Sequence, residues 1–233
     1  MKVRIKFSKK GIMKFIGHLD MMRYFQKAFR RSGIDISYSQ GFSPHQLISF
    51  AAPLGVGLTS RGEYMDIMMG TGTNSRKMAE LLNAQMVEGV EILSCRQIED
   101  ETKHSNAMAI LAAADYEVFF KDPDFFDRDM EMSFRAFMGQ SHIPTVRKTK
   151  KGQREIDLKN LIYKWDIKDG HIFMRLATGS VDNLKPEFVI ETFLQSLGKN
   201  AELSALDICR LEMYAKAEDG SFISLEDLGK DIP

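Results

Sequence analysis

The sequence predicts an α+β fold of two tandem ferredoxin-like halves, each ordered β-α-β-β-α-β with an antiparallel sheet. Three observations predict it. Stretches alternating apolar and polar residues interleave with stretches of three- and four-residue apolar spacing. That order occurs twice along the 233 residues. A polar stretch parts the two runs. The implied boundaries are a first half at 1–100, a linker at 101–114, a second half at 115–217 and an acidic tail at 218–233.

Val3, Ile5 and Phe7 alternate with Lys2, Arg4, Lys6 and Ser8, the pattern of a half-exposed first strand. Leu19, Met22, Phe25 and Phe29 then mark one face of an amphipathic helix, with Asp20 in its first turn and Gly33 at its end. From Ile36 to Leu58 the chain is punctuated by Gly41, Pro44, Pro53, Gly55 and Gly57, so it reads as loop with short extended pieces such as Gln46 to Phe50. Glu63 to Met69 alternates again. Asn74 caps a helix with Met78, Leu81, Leu82 and Met86 on one face, and Val90 to Ile98 returns as a strand.

The second run repeats the order with no obvious residue identity. Tyr116 to Phe120 reads as a strand and Asp124 to Met138 as a helix. Asp169-Gly170 joins two alternating segments, Tyr163 to Ile167 and Ile172 to Leu176, as a tight hairpin. Pro186 opens a helix that Gly198 closes, with Phe188, Val189, Thr192 and Phe193 facing the core. Leu206 to Tyr214 is the closing strand. One basic insertion, 146–160, interrupts this half and predicts a turn or small hairpin.

A 44% apolar and 27% charged composition is that of a soluble globular protein, and the formal net charge of zero argues against a nonspecific DNA coat. The charge is unevenly spread. Ten Lys and Arg against two Asp lie between Met1 and Phe50, and local charge governs a partner because fields are screened within about 8–10 Å. Cys95 and Cys209 sit in separate alternating segments without disulfide or zinc spacing, which fits buried thiols in a reducing cytoplasm. No apolar run reaches the ~18 residues of a membrane span. The charge-alternating N-terminus reads as a strand, not a signal peptide.

Arg23, Lys27, Arg30 and Arg31 recur on one helix face, a ladder of cations suited to a phosphate backbone. Tyr38, Gln40 and Phe42 follow in a Gly- and Pro-containing loop, as side chains that stack on or bond to exposed bases. Arg147, Lys148, Lys150, Lys151 and Arg154 form a second basic cluster around Gly152. Solvated surface cations are the plainer alternative for both clusters. His18 opens the basic helix and His45 lies in the loop, so the pair is a candidate base and acid for metal-free RNA cleavage. The simpler alternative is that each histidine packs and pins the backbone. No spacing selects a metal site from His18, Asp20, His45 and Glu63, and Gly55 and Gly57 lack the helix that a phosphate-cradling loop would open.

The segments GHLDMMRYFQKAFRRSGI, YSQGFSPH, FAAPLGVG and GEYMDI, with a weaker match at REIDLKNLI, resemble the bacterial radical SAM-linked proteins. These are a domain of unknown function found beside or fused to radical S-adenosylmethionine enzymes. The resemblance spans about Met1 to Ala215 and carries over onto His18, Asp20, Arg23, Arg30, Arg31, Tyr38, Gln40, Gly41, Phe42, Pro44, His45 and Glu63. It implies a radical SAM enzyme as partner and a setting in RNA modification or translation. The chain has no CxxxCxxC triad, so no iron–sulfur cluster or other cofactor is expected of it alone. A looser analogy, in architecture and His18 only, links it to CRISPR repeat-processing endonucleases.

The resulting expectation is a cytoplasmic, RNA-binding or substrate-presenting accessory without a cofactor, metal or membrane contact. A metal-independent endoribonuclease using His18 and His45, and a protein-docking adaptor of a radical SAM enzyme, are the alternatives.

Overall fold

A computed structural model describes residues 1–99, 105–149, 152–200 and 202–233. These form a mixed α+β structure with five α-helices and a large, mostly antiparallel sheet. In chain order the elements are β1 (Lys2–Lys9), α1 (His18–Ser32), β2 (Ile48–Phe50), β3 (Thr59–Met68), α2 (Ser75–Asn83) and β4 (Val90–Ile98). A short α3 (Ala107–Ile110) leads into β5 (Leu111–Phe120), α4 (Arg128–Met138), β6 (Pro144–Thr149) and β7 (Gly152–Asp157). The chain continues through β8 (Ile162–Lys168), β9 (His171–Ala177), α5 (Pro186–Ser196), β10 (Leu206–Lys216) and β11 (Phe222–Ser224).

One sheet runs β4-β1-β3-β10-β5-β9-β8, with β2 added to β3 and β11 to β10. Every pairing in it is antiparallel except the join of β3 to β10, where Thr59 and Ser60 meet Cys209 and Arg210. Gly62 stands beside that join: a Cβ there would lie 2.5 Å from the Leu211 carbonyl oxygen, so only glycine fits. Val3, Ile5, Phe7, Met65 and Ile67 pack against Phe25 and Phe29 of α1 and Met78 and Leu82 of α2. Tyr116, Val118, Ile172, Met174 and Ile208 pack against Phe134 of α4 and Phe193 of α5.

Several expectations change. The first strand is buried on both faces, with Lys2, Arg4 and Ser8 no more than 3% exposed. β1 is an interior strand between β3 and β4, and residues after β11 and around Ala107 cover its charged face. Phe25 and Phe29 of α1 are buried as expected, but Leu19 is 62% exposed and Met22 only half-buried; Met21, Ala28 and Ser32 complete the buried face instead. The expected linker contains α3 and the start of β5, while residues 100–104 lie outside those described. β5 begins at Leu111, five residues before the expected Tyr116; Ala112, Ala113 and Ala114 show no alternation that would mark the earlier start, although Ala113 and Ala114 are fully buried.

The segment 218–233 is a strap. β11 pairs with β10, Leu225 is fully buried, the backbone of Lys230 pairs with Gln97, and the Ile232 carbonyl accepts from the Ser75 amide. Its Glu226 bonds the Lys6 ammonium at 2.8 Å, and Arg96 lies 3.8 Å from Glu226 and 3.3 Å from Asp231. The Asp169-Gly170 hairpin forms as expected, with positive φ at both residues. The ladder shifts register between Ile162 and Lys164, and the Tyr163 ring packs on Phe222 of the strap, 4.9 Å between centroids.

Leu225→Ala should lower the unfolding free energy in urea by about 2–5 kcal/mol, the cost of emptying a well-packed site; a loss near zero would show that the strap does not belong to the folded unit. Burial pushes the Glu226 carboxyl up, but the bond and charge of Lys6 and the charge of Arg96 outweigh it and hold its pKa below the ordinary 4.5. Its contribution is therefore present above pH 4.5 and lost as pH falls through the lower folded value. The stability gap between wild type and Glu226→Gln should close on acidification below pH 4.5, followed by denaturation across a pH series.

Candidate nucleic-acid interface

α1 buries one side in the core and turns Arg23, Lys27, Arg30 and Arg31 to solvent. Asp20, the only acid on the helix, lies 3.2 Å from Arg23. Arg31 Nε donates to Gln85 Oε1 at 3.3 Å, and Lys27 and Arg30 have no ion-pair partner among the described residues. Gly33, at φ +72°, ends the helix and sends the chain into the loop carrying Tyr38, Gln40 and Phe42.

That loop is pinned at its base. Buried Ile34 and Ile36 anchor it, and the Ser37 amide donates to the Met68 carbonyl at 2.7 Å. Tyr38 pairs with Gln46 across an antiparallel bridge, and the Ser39 amide donates to the His45 carbonyl at 2.8 Å. The Ser39 hydroxyl bonds both His45 Nδ1 at 2.8 Å and the His45 amide at 3.1 Å. Gly41, at φ +111°, turns the tip. Phe42 is fully exposed there, Tyr38 is 43% exposed, and Gln40 is exposed between them.

The two histidines line different cavities. The His18 ring meets Phe50 edge-to-face at 5.2 Å, in a cavity shared with Phe7, Lys9, Pro53, Leu54 and Glu63. Its volume is about 20 Å³, room for one water and no substrate. The Lys9 ammonium beside it donates to the Ile16 carbonyl at 2.7 Å, and burial pushes its pKa down. Glu63 is held by Arg210, with Nε 2.7 Å from Oε1, and Arg210 Nη2 also donates to the Ala52 carbonyl at 3.0 Å. His18 is therefore half-buried against Phe50, beside a space too small for a substrate.

His45 instead lines a cavity of about 370 Å³ under the loop, with Lys2, Gln46, Ser49, Asp66 and Asn106. Sequence reasoning missed the last five. Lys2 sat on a face read as solvated, Asp66 looked like one polar position in an alternating strand, and Ser49 and Asn106 carried no motif. The four residues weighed for a metal are not gathered: Asp20 is exposed beside Arg23, and His45 is away from the cavity of His18 and Glu63. Among the described residues no cluster of three or more His, Cys, Asp and Glu could hold a metal ion.

The basic insertion forms the β6–β7 hairpin, with Arg147 directly opposite Arg154. Arg147 Nη1 donates to the Asn183 carbonyl at 2.8 Å and lines a cavity of about 480 Å³ with Lys185, Phe188, Glu191 and Gln195. Arg154 is exposed. Lys150, Lys151 and the side chain of Lys148 lie outside the described residues. Cys95 is sealed in the first core, where burial pushes its thiol up to about 12. No described helix is long and apolar enough to cross a membrane.

The structure thus defines a mixed α+β protein with a cationic helix face running into an aromatic-tipped loop. Over residues 2–186 the chain matches the family described as an uncharacterized protein conserved in bacteria, DUF2344, and it belongs to that family. A comparison with curated proteins found no match.

The buried Glu63–Arg210 pair generates its own test. Glu63→Leu should cost about 3–5 kcal/mol in urea denaturation, because Arg210 is left buried and unpaired. Adding Arg210→Met should return most of that loss. A double variant as unstable as the single one would mean that the pair is not what Glu63 contributes.

Proposed function

We propose that this protein binds single-stranded RNA as an accessory of a modification system. The observation that carries the proposal is Phe42, a large aromatic held fully exposed on a loop whose base is tied by at least five hydrogen bonds and bridges. An unsupported phenylalanine on water gains nothing for folding, whereas a stacked base is worth about 1–3 kcal/mol to it. Phosphates would meet Arg23, Lys27, Arg30 and Arg31 on the preceding helix, and Arg147 and Arg154 would extend the track. Tyr38 and Gln40 supply a second ring and an amide beside the Phe42 tip.

The strand order supports a ferredoxin-like reading of each half. Counted within itself, the first half orders its strands 4-1-3-2 as β4-β1-β3-β2, and the second does the same as β10-β5-β9-β8. A radical SAM enzyme as partner rests on the motif resemblance alone. Phe15 and Val56, both more than half exposed and lining one cavity, would be the apolar contact for such an adaptor role. Cleavage by His18 and His45 gains no support from their placement in separate cavities.

Fluorescence anisotropy with short single-stranded RNA tests the proposal. Arg23→Glu/Arg30→Glu/Arg31→Glu should abolish most binding and flatten the log–log salt dependence by roughly 2, given about 0.7 per phosphate contact on single strands. Phe42→Ala should weaken binding about 5- to 100-fold with the salt slope unchanged, the signature of lost stacking. Wild-type affinity in both variants would remove this surface from nucleic-acid binding, and copurification with the radical SAM enzyme would then be the reading to pursue.

A further inference from the structure

We infer that the cavity beneath the 38–46 loop is a recognition pocket for one unstacked nucleobase, an inference that rests on the RNA-binding reading. Its floor is the β1-β3-β2 ladder, where Lys2 lies opposite Met68 and Ser49 opposite Asp66. Leu47, Ile48, Ile67 and Met68 supply apolar wall, and the loop supplies His45 and Gln46. At about 370 Å³ the space is at the low end of the ~300–1,000 Å³ typical of small-ligand sites.

Among the described residues, what the cavity offers is neutral. Its two charges are already engaged: the Lys2 ammonium donates to the Ser105 hydroxyl at 2.7 Å, and Asp66 accepts from Arg4 and from the Ala107 amide at 2.7 Å. Phosphate would find an ammonium already bonded and a carboxylate beside it. Among the described residues, in contrast, the side chains of Ser49 and Asn106 form no hydrogen bond. Gln46 is 3% exposed, its Nε2 donates to the Tyr38 hydroxyl at 3.4 Å, and its Oε1 has no partner. Exchanging the two amide atoms about the broad terminal torsion only orphans the other one. His45 uses Nδ1 on Ser39, which leaves Nε2.

Two amides, a hydroxyl and an imidazole nitrogen around apolar wall match a planar ring with donors and acceptors on its edge. That is the chemistry by which unpaired bases are read. The location adds a geometric reason. The residues that close the pocket belong to the loop that holds up Phe42, so a strand stacked on that ring passes the pocket mouth.

The test uses the full chain and free nucleosides, so that it does not depend on RNA affinity. The His45 Cε1–H signal should shift saturably with at least one of adenosine, guanosine, cytidine or uridine at millimolar concentration, and ribose 5-phosphate should leave it unmoved. Ser49→Ala and Asn106→Ala should each weaken that binding roughly 2- to 10-fold, the effect of one lost hydrogen bond, with the fold retained. They should weaken short base-bearing RNA similarly and leave an abasic strand unaffected. No saturable shift with any nucleoside, or shifts identical in both variants, would overturn the pocket even if the arginine variants still abolish RNA binding. Saturable nucleoside binding in a protein that does not bind RNA would keep the pocket and overturn the RNA reading instead.

Discussion

The first half of the structure is organised around one buried ion pair, Arg4 with Asp66. The two residues lie directly opposite each other on β1 and β3, 1% and 4% exposed, and their bidentate contact measures 2.8 and 3.1 Å. Two charges taken this far from water are tolerated only if the remaining donors and acceptors are also satisfied. Arg4 meets that demand by donating to the Leu225 carbonyl of the strap and to the Ser105 carbonyl, and Asp66 by accepting the Ala107 amide. The strap and the entry into the second half are therefore fixed by what a guanidinium requires. Removing either segment would expose the pair and leave its partners unmatched.

The second half holds an equivalent pair of opposite polarity. Asp115 on β5 faces Arg175 on β9, with contacts of 2.7 and 2.8 Å. This pair is more open, and its guanidinium is completed by the Tyr214 ring at 4.1 Å, with the Tyr214 hydroxyl on Asp115. Between the two, where β3 joins β10, sits the Glu63–Arg210 pair. Charged rungs thus recur along the polar side of strands whose other side is apolar. The outer edge of β4 is closed by the Lys230 backbone at Gln97 and by side chains elsewhere: Asn83 Oδ1 accepts from the Ile92 amide while its Nδ2 donates to the Ile92 carbonyl, and the Ser75 hydroxyl donates to the Cys95 carbonyl. Such caps remove the unpaired groups that would otherwise invite a foreign strand.

Local signals were legible wherever one face of an element met one core. The Asn74 cap appears as expected, with Oδ1 accepting the Lys77 amide at 2.7 Å, and so do the Pro186 start and the Asp169-Gly170 turn. The basic row of α1 was legible because helical periodicity alone decides which side chains share a face. What alternation could not convey is that a polar face can be buried by a remote segment. Lys2, Arg4 and Lys6 have the pattern of a solvated strand face, but Ser105, Glu212 of β10 and the returning residues 222–233 engage them. The same non-local contact hid the cavity floor at Asp66 and Ser49. His18 misled in the other direction, since a histidine opening a basic helix looks chemical until it is seen half-buried against Phe50, beside a space too small for a substrate.

The distribution of charge bears on the proposed binding of a polyanion. Thirty-two basic and thirty-two acidic residues cancel in the whole chain, and the buried or half-buried pairs take up both signs almost equally, so any imbalance is local. Asp66, Glu63, Asp115, Glu212 and Glu226 all lie in buried or half-buried pairs, each facing Arg4, Arg210, Arg175 or Lys6. On α1 a single carboxylate faces four cations, and its reach ends within the first turn at Arg23. Near the other end of the helix Lys27 and Arg30 have no ion-pair partner among the described residues, and Arg31 donates to the side-chain and backbone oxygens of Gln85. That end is where the chain enters the aromatic loop. A zero net charge is therefore compatible with a local positive field at this helix face, because the buried acids are each offset by a paired base and exposed charges farther than about 8–10 Å are screened by salt.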